Sequence, residues 1–222
     1  MFLPIMHDLA GIISLIIVSF LCIIIALRIP QISKIIIVGL ILRVFLILYG
    51  HYISPLPDST ADMESFDSSG WHDYGKQGFI YTISNFPGPS SNFISWFLGI
   101  PYSFFGRSVL LAQSLSLFFG VLSIIMTWLI AKEIWDNHSA SKAGWTMALF
   151  PSLLLYSVLI LREVYIVFFL LIALYGIVLW FKNFNIKAII ISSIGFLGTI
   201  FFHGAMMPGA LIFIIFVIFT SL

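Results

Sequence analysis

Charge is what this sequence has least of. Asp, Glu, Lys and Arg together make up 9% of the residues while hydrophobic ones make up 61%, against about a quarter charged and under half apolar in soluble domains. With a mean hydropathy of +1.13, water is excluded as the main solvent, and a polytopic membrane protein is expected. Cysteine is nearly absent: Cys22 stands alone inside an apolar run, which excludes an intrachain disulfide and leaves the redox compartment unread. Basic clusters, Walker loops and Gly-rich dinucleotide fingerprints are missing, so no nucleic-acid partner is indicated. There is no fixed-period repeat, no linker and no second soluble domain. The opening MFLPIMHDLAG lacks the basic leader and small-residue cleavage site of a signal peptide, so the first apolar run reads as a retained span.

What is abundant is apolar helix. A bilayer core of about 30 Å takes roughly 20 apolar residues, and backbone in lipid must satisfy its own hydrogen bonds, which makes such runs helices. Runs at residues 9–27, 35–53, 109–131, 143–160, 164–181, 188–202 and 206–222 suggest about seven crossings. The intervening apolar stretch 92–105, NFISWFLGIPYSFF, is short and broken by Gly99 and Pro101, which suits an interfacial or re-entrant helix. The fold expected is therefore an all-α, polytopic transmembrane helix bundle, with residues 1–222 forming one transmembrane domain. The positive-inside rule places Arg28, Lys34, Lys132, Lys142, Lys182 and Lys187 on the cytoplasmic side, in every second connection. The segment 55–107 then becomes a long extracytoplasmic loop carrying short interfacial helices. The sequence stops inside an apolar run, which reads as a truncated or naturally short form.

That loop holds the one long polar stretch, residues 55–91. Asp58, Asp62, Glu64, Asp67 and Asp73 lie in it, five of the nine carboxylates of the chain, interleaved with Phe66, Trp71, Tyr74, Phe79 and Tyr81. A helix beginning at Ser59, capped by Ser59 or Asp58, would bring Asp58 and Asp62 toward one face. A carboxylate at the edge of a low-dielectric region can serve as a general base; the bland alternative is that these residues keep an outer loop out of lipid. At the outer end of a later span stand Ser157, Arg162 and Glu163. Ionisable residues at such depth are candidate sites, and a guanidinium binds phosphate bidentately. Being adjacent, Arg162 and Glu163 point about 100° apart on a helix and are not expected simply to neutralise each other. The alternative is a snorkelling turn between helices. Arg43, near the middle of the second span, reads as structural, snorkelling or paired with another helix. His51, His72 and His203 share the outer side without metal-ligand spacing, so no metal site is assigned.

Two stretches carry a resemblance. Gly106-Arg-Ser-Val-Leu-Leu-Ala-Gln-Ser-Leu-Ser through Trp128-Leu-Ile-Ala-Lys-Glu-Ile-Trp135 is similar to the second span of bacterial C-type, lipid-carrier-dependent glycosyltransferases, a family broadly related to protein O-mannosyltransferases. Ala148-Leu-Phe-Pro-Ser-Leu-Leu-Leu-Tyr-Ser157 followed by Leu161-Arg-Glu163, and Phe86-Pro-Gly-Pro ahead of Gly106, also resemble that family, so the likeness covers roughly residues 54–181. It implies a membrane enzyme, in the bacterial plasma membrane, that transfers a sugar from a polyprenyl-phosphate carrier to a glycan, lipid or protein acceptor. The catalytic base would be Asp62, with Asp58 as its rival and Glu64 beside them. Arg162 would hold the lipid phosphate, Glu163 would orient it or the sugar, and Trp71, His72 and Asp73 would contact substrate. No cofactor is implied with certainty; a divalent cation is left open. The competing readings are a polytopic transporter, a polysaccharide polymerase or flippase-like protein, or a non-catalytic truncated copy.

Overall fold

The computed structural model describes residues 8–221; Met1 to His7, on which the absence of a leader was read, and Leu222, the end of the last apolar run, lie outside the described residues. The described chain is helical, with no strand among its residues. The helices are α1 Leu9–Arg28, α2 Ser33–Tyr52, α3 Ala61–Ser69, α4 Phe79–Ser84, α5 Phe93–Phe105, α6 Val109–Ile134, α7 Asn137–Leu149, α8 Pro151–Tyr156, α9 Glu163–Asn183, α10 Ile186–Phe202 and α11 Met207–Ser221. Four of them, α1, α2, α6 and α9, are long and apolar enough to cross a membrane. The runs at 188–202 and 206–222 form the shorter helices α10 and α11, of 17 and 15 residues.

The continuous span expected over 143–160 is not formed. Phe150 is extended, with ψ 121°, and Pro151 opens the new helix α8 at its first position. Proline there has no N–H to give the preceding turn, and its ring disfavours helical geometry at the residue before it. The chain then runs through a short irregular strap, residues 157–162, before α9 begins.

α6 is the axis of the bundle. Its residues are apolar nearly all round, and Leu110, Leu117, Val121, Ile124 and Trp128 are buried on successive turns, the pattern of a helix enclosed by others. Its start is defined locally: Ser108 is extended and its Oγ accepts from the Leu111 N–H at 3.4 Å, a serine N-cap. α9 and α10 pack through small residues. A methyl group added at Gly176 or Gly195 would collide with the backbone of Ser192 or Ala173, and Ser192 Oγ donates to the Ala173 carbonyl at 3.0 Å. Close approach through small residues is the packing expected of helices in lipid, where no hydrophobic drive brings them together.

The ends of the bundle differ. At one, Lys182 Nζ lies 2.8 Å from Glu133 Oε2 and Lys132 Nζ sits 4.6 Å over the Trp128 ring. At the other, Asp8 pairs with His51 at 2.8 Å, and the polar segment folds over the bundle. Here α3 continues into a wide turn, Gly70–Tyr74, and one tight turn, Gly75–Gln77. Both pack on α5, which lies against the bundle through rings: Phe93 and Phe97 meet Phe202 at centroid distances of 4.8 and 6.0 Å. Tyr165 stacks on Phe202 at 4.7 Å and 5°.

Candidate functional site

The polar segment is pinned by a buried carboxylate. Asp67, only 3% exposed, accepts from the Tyr102 hydroxyl at 2.5 Å and from Arg107, Nε at 2.8 Å and Nη2 at 2.7 Å. Burial, and then the charge of Asp67, push the Tyr102 phenol well above its ordinary range, so the hydroxyl stays a donor. Charge-assisted bonds of this kind are the strong ones, and they tie α3 to the end of α5 and to the turn before α6. The sequence sets Asp67 only among the five carboxylates of the loop; the fold makes it a fastening.

With α3 fixed, two other carboxylates of the segment come to the mouth of the bundle. Asp58, Thr60, Ala61 and Asp62 line an open cleft of about 390 Å³ together with Tyr156, Leu161 and Glu163, inside the about 300–1,000 Å³ typical of small-molecule sites. The helix starts at Ala61, later than expected, and Thr60 makes no side-chain cap. Asp58 is therefore outside the helix, in left-handed backbone with φ 60°, an uncommon conformation for any residue but tolerated best by Asn, Asp and Gly. It lines the same cleft as Asp62 without sharing a helix with it. The Tyr156 hydroxyl donates to Asp58 Oδ2 at 3.5 Å, linking the segment to the far wall.

That far wall is the break after α8. Tyr156 ends the short helix, the strap follows, and Glu163 opens α9. Arg162 precedes the helix instead of lying in it, and its Nε reaches 3.6 Å from Glu163 Oε1. The neighbours do make an ion-pair contact, contrary to the expectation from helical geometry, although the Arg162 backbone is itself in the right-handed helical region.

Of the remaining residues expected at the site, Glu64 is exposed on α3 away from the cleft lining. Trp71 is half-buried, and His72 and Asp73 are exposed, on the wide turn; none of the three lines the cleft. His72 Nδ1–H donates to the Ser68 carbonyl at 3.0 Å. Among the described residues no three His, Cys, Asp or Glu side chains are grouped to hold a metal ion. Tyr156 was not singled out by sequence; its only signal was a tyrosine at the end of the short helix, directly before the strap. A second hollow, about 270 Å³ between α10 and α11 and lined by Phe196, Leu197, Ile200, Leu211 and Ile214, is apolar and offers no chemistry.

The cleft thus presents three carboxylates and a phenol, with a guanidinium at its edge, at one end of an apolar bundle. No family model matches the chain, and comparison with curated proteins and with solved structures finds no match.

Proposed function

We propose that the protein is a membrane glycosyltransferase that moves a sugar from a polyprenyl-phosphate carrier to an acceptor hydroxyl at the outer face of a bacterial plasma membrane. The observation that carries this reading is the cleft where Asp58 and Asp62 of the polar segment meet Tyr156 and Glu163 of the bundle. Those two walls are the loop and the Ser-then-Arg-Glu stretch on which the sequence resemblance rests. In this reading Asp62 takes the proton of the acceptor hydroxyl, whose oxygen attacks the anomeric carbon. The bond to the phosphate oxygen breaks, and the polyprenyl phosphate leaves with that electron pair. Arg162, one residue from the cleft lining on either side, offsets the growing phosphate charge, and Glu163 orients the guanidinium. Asp58, held by Tyr156, is the rival base. α10, α11 and the broken pair α7–α8 complete seven crossings, with the polar segment extracytoplasmic by the positive-inside rule.

The test is sugar transfer in isolated membranes containing a labelled polyprenyl-phosphate sugar, with the parent chain and Asp62→Asn at equal abundance. Transfer that falls about 100-fold or more on loss of the carboxylate, the range of a general base, supports the reading. Transfer retained in the variant removes Asp62 from the role. A second reading, a polytopic transporter, is favoured by Arg43, wholly buried in the middle of a span, since such residues mark transport paths. Movement of labelled carrier across vesicles without sugar transfer would select it.

A further inference from the structure

The strap under the cleft is irregular backbone, yet Ser157, Val158, Leu159, Ile160 and Leu161 are all buried. Non-helical backbone at the depth of a membrane needs partners from protein or water. One side chain from another helix, Gln113, supplies a backbone partner, and a second, Arg43, holds the strap's serine hydroxyl. Arg43 Nε donates to Ser157 Oγ at 2.8 Å, and Gln113 Nε2 donates to the Val158 carbonyl at 2.9 Å. What they leave over is concentrated in the same place. Among the described residues four buried side-chain polar atoms lack a hydrogen-bond partner, and three of them, Arg43 Nη2, Gln113 Oε1 and Glu163 Oε2, belong to residues holding or ending this strap. Buried polar atoms without partners call for a water or an ion.

A narrow crevice of about 30 Å³ lies beside the two ends of the strap, lined by Gly120, Ser123, Tyr156, Ser157, Glu163 and Val167 among others. A methyl added at Gly120 would collide with Ser157 Cβ and stand 3.0 Å from Ser157 Oγ and 3.1 Å from Arg43 Nε, so the guanidinium lies next to Gly120 and Ser157, which line the crevice together with Glu163. About 10–15 Å³ of such space is enough for one water. Charge selects the occupant. Arg43 repels a cation and Glu163 repels an anion, whereas water donates to the carboxylate and accepts from the guanidinium. The direct partners of Arg43 are the Ser157 hydroxyl and the carbonyls of Gly39 and Ala148, with the Cys22 thiol as its electrostatic neighbour; none is a carboxylate. A cation so placed is costly unless a counter-charge is coupled to it.

We propose that this crevice is a buried water site whose water couples Arg43 to Glu163, and that Arg43 is the positioning residue for the cleft wall formed by Tyr156 and Glu163. The coupling holds the wall whichever ligand the cleft takes and independently of sugar transfer.

The test is a double-mutant cycle on the full chain in lipid nanodiscs, read as amide hydrogen exchange across residues 157–163. Arg43→Met is expected to speed exchange of the strap about tenfold or more, and to do so about fivefold less when Glu163→Gln is already present, because each change removes the same coupling. Arg43→Lys, which keeps the charge, is expected to stay within about threefold of the parent. Equal effects of Arg43→Met in both backgrounds, or a lysine that behaves as methionine does, would overturn the coupling. Should Arg43→Met not fold, Arg43→Gln takes its place in the cycle: strap exchange faster than the parent's, and less so when Glu163→Gln is present, supports the coupling, and equal effects in both backgrounds overturn it.

Discussion

Tyr102 donates its hydroxyl to a carboxylate oxygen of Asp67, 35 positions away in sequence, at 2.5 Å. The contact sets the height of the polar segment over the bundle, because Asp67 sits in the last turns of α3 and Tyr102 near the end of α5. Tyr102→Phe leaves Arg107 as the remaining partner of a buried carboxylate and is expected to cost about 1–3 kcal/mol. Arg107→Ala, which strips the counter-charge, is expected to cost more, about 3–5 kcal/mol. Thermal unfolding of the purified protein in detergent checks the order: a Tyr102→Phe loss larger than that of Arg107→Ala would contradict it.

The same pair makes a prediction in pH. The folded phenol of Tyr102 lies above its ordinary value of 10.0. The native state therefore holds a proton that the unfolded chain releases first. Stability from this group is complete below pH 10 and is lost as pH rises through the folded value. Parent and Tyr102→Phe are expected to differ by a constant amount at neutral pH and to converge above pH 10. A gap that widens with alkalinity would be the wrong sign.

How much of this was readable from sequence depends on where each residue's partners lie. The long apolar helices α1 and α2 were legible because runs of 20 residues with few polar interruptions point the same way throughout, and Arg28 and Pro30 mark the first stop. The break after α7 was visible only as Pro151; that it would be followed by a buried strap was not, since 157–161 is as apolar as any span. Asp67 could not be told from Asp62 or Glu64, because its burial is decided by Tyr102 and Arg107, on the far side of two turns and a helix. Asp58 and Asp62 were brought together for a helical reason that proved wrong. They meet because Asp58 takes a left-handed turn ahead of the helix, a choice that local spacing does not reveal.

Asp58 gives the clearest trade between stability and use. Its φ of 60° disfavours a side chain by about 1 kcal/mol, a cost glycine does not bear. Asp58→Gly is therefore expected to be neutral or stabilising by about 0.5–1 kcal/mol, and Asp58→Ala destabilising by a similar amount. Both remove the acceptor of the Tyr156 hydroxyl, and ligand binding at the cleft is expected to weaken alike in the two. A binding loss that tracked stability instead would place the importance of Asp58 in its backbone.

The site assignment is tested most sharply by carboxylates that differ only in position. Asp62 lines the cleft, while Glu64 lies two residues on along the same exposed helix, turned away from it. Both are acidic, both are in the first turn, and both contribute equally to any role the segment has in staying out of lipid. Asp62→Asn and Glu64→Gln are thus expected to leave abundance and unfolding temperature the same, since surface substitutions away from special features stay within about 0.5 kcal/mol. Transfer in membranes is expected to fall about 100-fold or more for Asp62→Asn, and to stay within about twofold of the parent for Glu64→Gln. If both variants transfer alike, the acidic segment acts by composition and the cleft is not where the chemistry happens. If only Glu64→Gln is impaired, the reacting group stands on the other face of α3, toward the wide turn that carries Trp71, His72 and Asp73.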